Sequence, residues 1–379
     1  MTEAQRLFDP DSENEDPRYL REQLITYIGN KRSLLDSIET AIQRVCVRTG
    51  KERLHLLDGF AGSGVVGRLM KRYAHTLVSN DIENYARVIG ECFLANASGV
   101  PMTDVARLVD DFNAVAESAP LADGFIRRLY SPRDESAIEP DERAFYTPDN
   151  ANRLDTLRTL IGSAPESLRV YLLGPLLSAA SVHANTAGVF KGFYKERGSG
   201  VGKFGGTGAD ALSRIFAPIK LRSPVLSRFE CESQILQVDS NELPGRVGDF
   251  DLVYFDPPYN QHPYGSNYFI LNLLTDYLEP VEISPVSGIP KHWQRSDYNV
   301  RARAPERLFT LLDQIDSRFV LLSYNSEGFV SPSDLRGVLN GLGTVDEVRL
   351  NYNTYRGSRN LRHRPLHVTE HLYLLEKSA

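Results

Sequence analysis

Cysteine is scarce in this chain: three in 379 residues, at 46, 92 and 231. Their spacing forms no ligand pattern, so a zinc site and a disulfide framework are excluded and free thiols are expected. Positive charge is short as well, with a formal net charge of −6. That weighs against a protein that coats nucleic acid over its whole surface, but leaves room for a local basic face. Also missing are a secretory leader and any apolar run of about 18 residues, the length that spans a bilayer. The nearest approach, YLLGPLLSAASVHANTAGVF (171–190), is broken by Gly174, Pro175, His183 and Asn185 and reads as a buried helix. The expectation is a cytoplasmic protein with no membrane partner and no metal.

What is present suffices for a sizeable core, since 41% of the residues are hydrophobic and 24% charged. The opening MTEAQRLFDPDSENEDPR is acidic and poor in large apolar groups, which predicts a disordered tail over 1–20. TYIGNKRSLLDSIETAIQRV then reads as a loop and a helix, with Leu34, Leu35, Ile38, Ile42 and Val45 on one face. LHLLD (54–58) and TLVSND (76–81) read as strands, each followed by a helix. This spacing predicts a parallel sheet covered by helices. Strands return at 232–239, 251–256, 318–324, 345–352 and 371–377. The predicted architecture is one α/β domain in two halves, 21–98 and 226–379, interrupted by a mainly helical insertion over 99–225.

The turn after the first strand is LLDGFAGSGVVG, with glycines at 59, 62, 64 and 67. Glycine lets the backbone bend sharply and lets a ligand lie against it without meeting a Cβ. A phosphate-cradling P-loop needs lysine after Gly64, and Val65 stands there, which argues against nucleoside triphosphate hydrolysis. Asp58, Asp81 and Asp239 fall at successive strand ends, the edge where ligands bind in such sheets. Asp81 can accept ribose hydroxyls, and Asp239 can accept an adenine amino group. A lone acid at such a position is more often a helix cap, but three along one edge suggest an adenosine-like cofactor.

A fourth strand ends in VYFDPPYNQHPYGSNYF (253–269). An exocyclic amine on a base is a poor nucleophile because its lone pair is delocalised into the ring. Two acceptors that each take one N–H favour a pyramidal nitrogen and stabilise the positive charge that develops on it. Asp256 supplies one acceptor and the carbonyl of Pro257 the other. Pro257 and Pro258 fix the backbone before the substrate arrives. Tyr259 can stack on the base, worth about 1–3 kcal/mol in nucleic-acid proteins. The segment reads as a clamp for a planar amine.

YIGNK (27–31), DGFAGSG (58–64), SNDIE (79–83), QVDSNE (237–242) and FDPPYN (255–260), in this order, resemble the Dam-like class of adenine-specific DNA methyltransferases. The resemblance covers roughly residues 24–379. It implies a Rossmann-like seven-stranded sheet and S-adenosyl-L-methionine as cofactor. It also implies that Phe60, Ala61, Gly62, Ser63 and Gly64 surround the cofactor beside Asp58, and that Asp81 and Ile82 meet its ribose. Asp239 and Ser240 would meet its adenine. Tyr27 and Lys31 would close over the site, and Asp256, Pro257, Pro258 and Tyr259 would be the catalytic clamp.

An enzyme acting on a base within a duplex must flip it out and recognise its surroundings. In the family the insertion ends in a β-hairpin that enters the major groove, and HANTAGVFKGFYKERGSGVGKFGG (183–206) looks similar. Asn185, Lys191, Lys195, Arg197 and Lys203 are the candidates there for phosphates or base edges. A second basic run, RLNYNTYRGSRNLRHRPLH (349–367), holds five arginines and no acid. It adds Arg356 and Arg359 as phosphate contacts. Residues 261–293 resemble methyltransferases that accompany restriction enzymes more than Dam itself, so no target sequence is inferred. The expected partners are double-stranded DNA and a cognate restriction enzyme, and oligomeric state stays open. The alternatives are an RNA base-amine methyltransferase and a catalytically silent DNA-binding module. The long insertion favours DNA, and an intact Asp256 speaks against the silent module.

Overall fold

The computed structural model of the chain describes residues 15–206, 210–353 and 367–378. Seven strands form one sheet: β1 (Leu54–Asp58), β2 (Ala74–Asn80), β3 (Glu232–Leu236), β4 (Phe250–Phe255), β5 (Ser317–Asn325), β6 (Gly343–Asn353) and β7 (His367–Lys377). Their order is β3-β2-β1-β4-β5-β7-β6. The first five run parallel, and β7 is antiparallel to both β5 and β6.

The helices in chain order are α1 (Leu35–Thr49), α2 (Val65–Met70), α3 (Asn84–Phe93), α4 (Met102–Ser118), α5 (Phe125–Tyr130) and α6 (Pro148–Ser163). They continue with α7 (Glu166–Val182), α8 (Asp210–Phe216), α9 (Tyr264–Asn267), α10 (Phe269–Asp276), α11 (Ala304–Gln314) and α12 (Pro332–Leu342).

The two-residue period of a strand sends neighbouring side chains to opposite faces. Leu56, Tyr254, Leu321 and Leu374 meet Ile38, Ile42 and Val45 of α1 on one side. Leu57, Val253, Phe255 and Leu322 meet Leu308 and Leu312 of α11 and Leu335 and Leu339 of α12 on the other. Central strands with both faces covered read as near-continuous apolar runs, which is why DLVYF and RFVLLSY stand out in the sequence. The predicted sheet is present, with its parallel core and its place between helices.

A further helical core joins α3, α6, α7 and α10 with Leu24 and Ile25. Helix α3 precedes residue 99 and α10 follows residue 225, yet both pack within it. The insertion therefore shares its core with flanking segments.

Several expectations need correction. The segment 171–190 is not broken at Gly174 and Pro175, because α7 runs through both and ends at Val182. Pro175 sacrifices one backbone hydrogen bond, while Gly174 lets α7 approach α3. A Cβ on Gly174 would stand 2.8 Å from Cβ and Sγ of Cys92. Order also begins earlier than residue 21: Arg18–Arg21 form a helical turn, and buried Tyr19 donates its hydroxyl to the Phe93 carbonyl at 2.8 Å. Most of the predicted tail, residues 1–14, lies outside the described residues. Strand β3 stops at Leu236, three residues before Asp239.

From β1 the chain passes to β2 and β3 on one side, then returns as β4 on the other side of β1. Such a reversal opens a crevice outside the carboxyl ends of the two central strands. Asp58 closes β1 and Asp256 follows β4, so both carboxylates sit at that crevice.

Two helical glycines give opposite expectations for stability. Gly174→Ala should destabilise the fold, because overpacking of about 1–3 kcal/mol exceeds a helix-propensity gain of up to about 1 kcal/mol. Gly337→Ala, in α12 with open space around it, should be stabilising by up to about 1 kcal/mol. Urea unfolding of both variants beside the parent chain checks the signs.

Candidate active site

The glycine turn is shaped by what crowds it. A Cβ on Gly59 would stand 2.5 Å from the Phe255 ring, and one on Gly62 would stand 3.0 Å from the Tyr27 ring. Gly62 and Gly64 take φ of +51° and +71°, a region that favours glycine. The turn is also tethered: Asp81 accepts from the Gly62 amide at 2.7 Å, and Ser240 Oγ donates to the Gly59 carbonyl at 2.9 Å. Asp81 uses its other oxygen to accept from the Glu83 amide at 2.9 Å.

These elements line a cleft at the carboxyl ends of the central strands. Its walls include, of the residues singled out in the sequence, Tyr27, Lys31, Asp58, Phe60, Ala61, Gly62, Ser63, Asp81 and Ile82. Asp239, Ser240, Asp256 and Pro258 complete that set. Gly64, Pro257 and Tyr259 are not on the wall. Gly64 turns the chain into α2, Pro257 is buried behind Asp256, and Tyr259 lies edge-on to Tyr324 with ring centroids 6.3 Å apart. Asp239 caps the turn Ser240–Gly245 by accepting from the Asn241 amide at 2.9 Å, so the common role of an acid at that position is realised here too.

The cleft is rich in acids. Asp58, Asp81, Glu83, Asp239 and Asp256 face it, with Lys31 as the lining lysine. Asp58 is buried, and neither carboxylate oxygen completes a hydrogen bond. Burial, reinforced by the Asp81 and Asp256 charges, pushes its carboxyl up to about 8, and the nearby Gly67 and Phe60 amides only temper this. Burial likewise raises Asp81, against its backbone donors, and pushes Glu83 up to about 8, against a 2.7 Å hydrogen bond from Asn272.

Lys31 is 4% exposed, and its ammonium lies 3.0 Å from Asp256 Oδ1 and 2.9 Å from Glu370 Oε1. At Asp256, burial outweighs this pairing and raises the carboxyl to about 7. At Glu370 burial also works upward but is outweighed. The Lys31 ammonium and the Ser323 and Asn325 donors hold it below the ordinary value.

Over the cleft, Tyr27 packs near-parallel to Tyr264, at 5.0 Å and 4°, and to Tyr268, at 4.7 Å and 14°, and those two rings lie 6.1 Å from each other. Sequence reasoning missed Tyr264 and Glu83, although both lie within quoted segments. It also missed Glu370, whose signal was an acid inside the apolar strand HVTEHLYLL. Gln294, Ser296, Tyr298 and Asn299 reach the cleft from a loop that carried no motif.

The basic run after α7 is a tight loop with one antiparallel bridge, Lys195 to Gly202, rather than an extended hairpin. Asn185 is corrected as a DNA contact. It is fully buried, donates to the carbonyls of Ala144 and Lys203 at 2.7 and 2.8 Å, and accepts from the Gly205 amide at 2.9 Å. Its donors and acceptor hold the loop together. Lys191 and Arg197 are exposed, and Lys203 is half-buried. Lys195, also half-buried, lies with its ammonium 4.9 Å from the Phe193 ring centroid. Arg356 and Arg359 lie outside the described residues. Arg349, at the start of that second run, is engaged by Glu347 at 2.7 Å.

Known proteins share this chain's pattern. The family model of D12 class N6 adenine-specific DNA methyltransferase matches residues 27–337. Type II methyltransferase M.NlaIII of Neisseria lactamica is 27% identical over 93% of this chain and all of its own length. Type II methyltransferase M.CviAII of Paramecium bursaria Chlorella virus 1 is 29% identical over 88% of this chain and 93% of its own. Modification methylase StsI of Streptococcus sanguinis is 27% identical over 87% of this chain, which spans 48% of that longer protein. A match across most of the sequence, over a sheet whose central strand ends carry the acids and the Asp-Pro-Pro-Tyr turn, shows that the chain belongs to the D12 class of N6 adenine-specific DNA methyltransferases.

Proposed function

We propose that this DNA adenine methyltransferase takes its methyl group from S-adenosyl-L-methionine and acts on an adenine flipped out of double-stranded DNA. The observation that carries the reading is the pair of carboxylates at the crevice, Asp58 with unpartnered oxygens and Asp256 beside its diproline. The residues present suit the cofactor. Asp58 is an orphaned buried carboxylate that an α-ammonium would satisfy. Asp58 would hold the amino-acid end, Asp81 the ribose hydroxyls and Asp239 the adenine amine, with Phe60, Ala61, Ser63, Ile82 and Ser240 around them. Bound there, the sulfonium supplies an electrophilic methyl group.

The chain's own part is to prepare the amine. Asp256 accepts one N–H of the adenine amine and the Pro257 carbonyl the other, which frees the nitrogen lone pair for attack. Pro257 and Pro258 hold these acceptors in place, so little reorganisation remains at the moment of reaction. Tyr259 stacks on the base. Lys31 neutralises the buried carboxylates, and Tyr27 covers the glycine turn.

The same proposal assigns residues 99–225 to target recognition, with Lys191, Lys195, Arg197 and Lys203 on phosphates or base edges. Arg356 and Arg359 are further phosphate contacts. The relatives are named as Type II methyltransferases and a modification methylase, which supports a role beside a cognate restriction enzyme. Three buried free cysteines suit a reducing cytoplasm. Among the described residues, no helix is long and apolar enough to cross a membrane.

Asp256→Asn should lower kcat by about a hundredfold or more, while cofactor affinity stays within about tenfold. Transfer of a labelled methyl group to duplex DNA, with calorimetry for the cofactor, measures both. Near-normal turnover would remove the clamp.

Asp58→Asn should weaken cofactor binding by about 1.5–3 kcal/mol, the range for a hydrogen bond to a charged group. Cofactor-free stability should respond in the opposite sense. A carboxyl raised to about 8 stabilises the fold fully below its unfolded value near 3.9, and that contribution is lost as pH rises through about 8. Wild type should therefore lose more stability than Asp58→Asn between about pH 4 and 8. Melting curves across that range, together with cofactor titrations, decide it.

Lys191→Ala should weaken DNA binding on specific and random duplexes alike and lower the salt slope by about one unit. An unchanged slope would place phosphate recognition elsewhere.

A further inference from the structure

The clamp as read from the sequence is self-contained, yet Asp256 shares its ammonium with a second acid two strands away. Glu370 lies in β7, fully buried, directly opposite Asn325 of β5. Residues opposite each other in an antiparallel pair, and those two positions along, present side chains on one face. Ser323 is therefore also in reach. Ser323 Oγ donates to Glu370 Oε1 at 2.5 Å and Asn325 Nδ2 donates to Oε2 at 3.0 Å. Lys31 completes the cage at 2.9 Å and reaches Asp256 from the same ammonium.

A carboxylate within a packed sheet is costly unless it is paired and hydrogen-bonded. A fully apolar β7 would have avoided that cost. Lys31 would then have Asp256 as its carboxylate partner here, and a one-to-one ion pair would let the ammonium swing across both oxygens of Asp256, including the one that must accept the amine. We propose that Glu370 is a positioning residue for methyl transfer, sharing the Lys31 ammonium so that it stays on Asp256 Oδ1 and leaves the other oxygen to accept the adenine amine. The inference rests on the clamp reading of Asp256 and adds a residue that does not touch the substrate.

The charged and titratable groups facing Asp256 are Lys31 from the N-terminal turn, Glu370 from β7, Asp58 from β1, and the phenols Tyr254, Tyr259 and Tyr264. Of these, Lys31 favours the ionised carboxylate, and Glu370 opposes it. The acid limb of the rate profile follows loss of the Asp256 proton. Removing the charge at 370 should lower the pH at which that limb falls and should also lower the plateau.

The test measures methyl transfer to duplex DNA from about pH 5.5 to 9 for wild type, Glu370→Gln, Glu370→Asp and Asp256→Asn, with cofactor affinity measured for each. Glu370→Gln should lower kcat about tenfold and move the acid limb to lower pH, with cofactor affinity within about threefold. Glu370→Asp, which keeps the charge but withdraws it by one methylene, should shift both in the same direction by less. It also supplies the answer if Glu370→Gln does not fold. A folded Glu370 variant with wild-type kcat and an unmoved limb overturns the proposal, even if its melting temperature falls. Should Asp256→Asn remain active, the clamp itself fails and the positioning role fails with it. An inactive Asp256→Asn beside unaffected Glu370 variants refutes the positioning role alone.

Discussion

A lysine ammonium that is 4% exposed must find carboxylates within hydrogen-bond distance or give up its charge. Lys31 finds two, Asp256 after β4 and Glu370 in β7. Much else follows from keeping that ion in place. The segment before it is tied down by the Thr26 amide on Ser181 Oγ at 2.9 Å and the Ile28 amide on the Tyr268 hydroxyl at 2.7 Å. Ser181 belongs to α7 and Tyr268 sits between α9 and α10. One short strap therefore joins the sheet edge, the helical insertion and the segment after the clamp.

Close approach is the second constraint. The turn after β1 passes between the rings of Phe255 and Tyr27 with no space for side chains at Gly59 and Gly62. Tyr27 is itself packed near-parallel to both Tyr264 and Tyr268, so the aromatic cluster and the glycine turn fix each other. Gly174 repeats the device where α7 meets α3. In each case a missing Cβ sets the distance between two elements.

Charge is distributed in opposite senses across the molecule. The crevice gathers acids, while Lys191 and Arg197 stand exposed on the loop after α7. A net negative chain thus still presents local positive charge on its surface, apart from the acids in its interior.

The strands, the glycine turn and the Asp-Pro-Pro-Tyr turn were legible because each is local: alternation, φ freedom and fixed prolines are written in neighbouring residues. The acids at the strand ends followed from the same logic, since β1, β2 and β4 each stop where an acid begins or closes the strand. Asn185 was misread because polarity and position near a basic run resemble a DNA contact, and only burial shows its donors committed to backbone carbonyls. Pro175 was misread because its local cost is outweighed by the packing of α7 against α3. Glu370 and the Gln294–Asn299 stretch were invisible as site residues, for they enter the site from far along the chain. The sequence by itself determined the fold class, the acids along the strand ends and the Asp-Pro-Pro-Tyr turn. The sharing of one buried ammonium between Asp256 and Glu370 was decided only in three dimensions, because desolvation and charge pairing depend on distances that residue order does not contain.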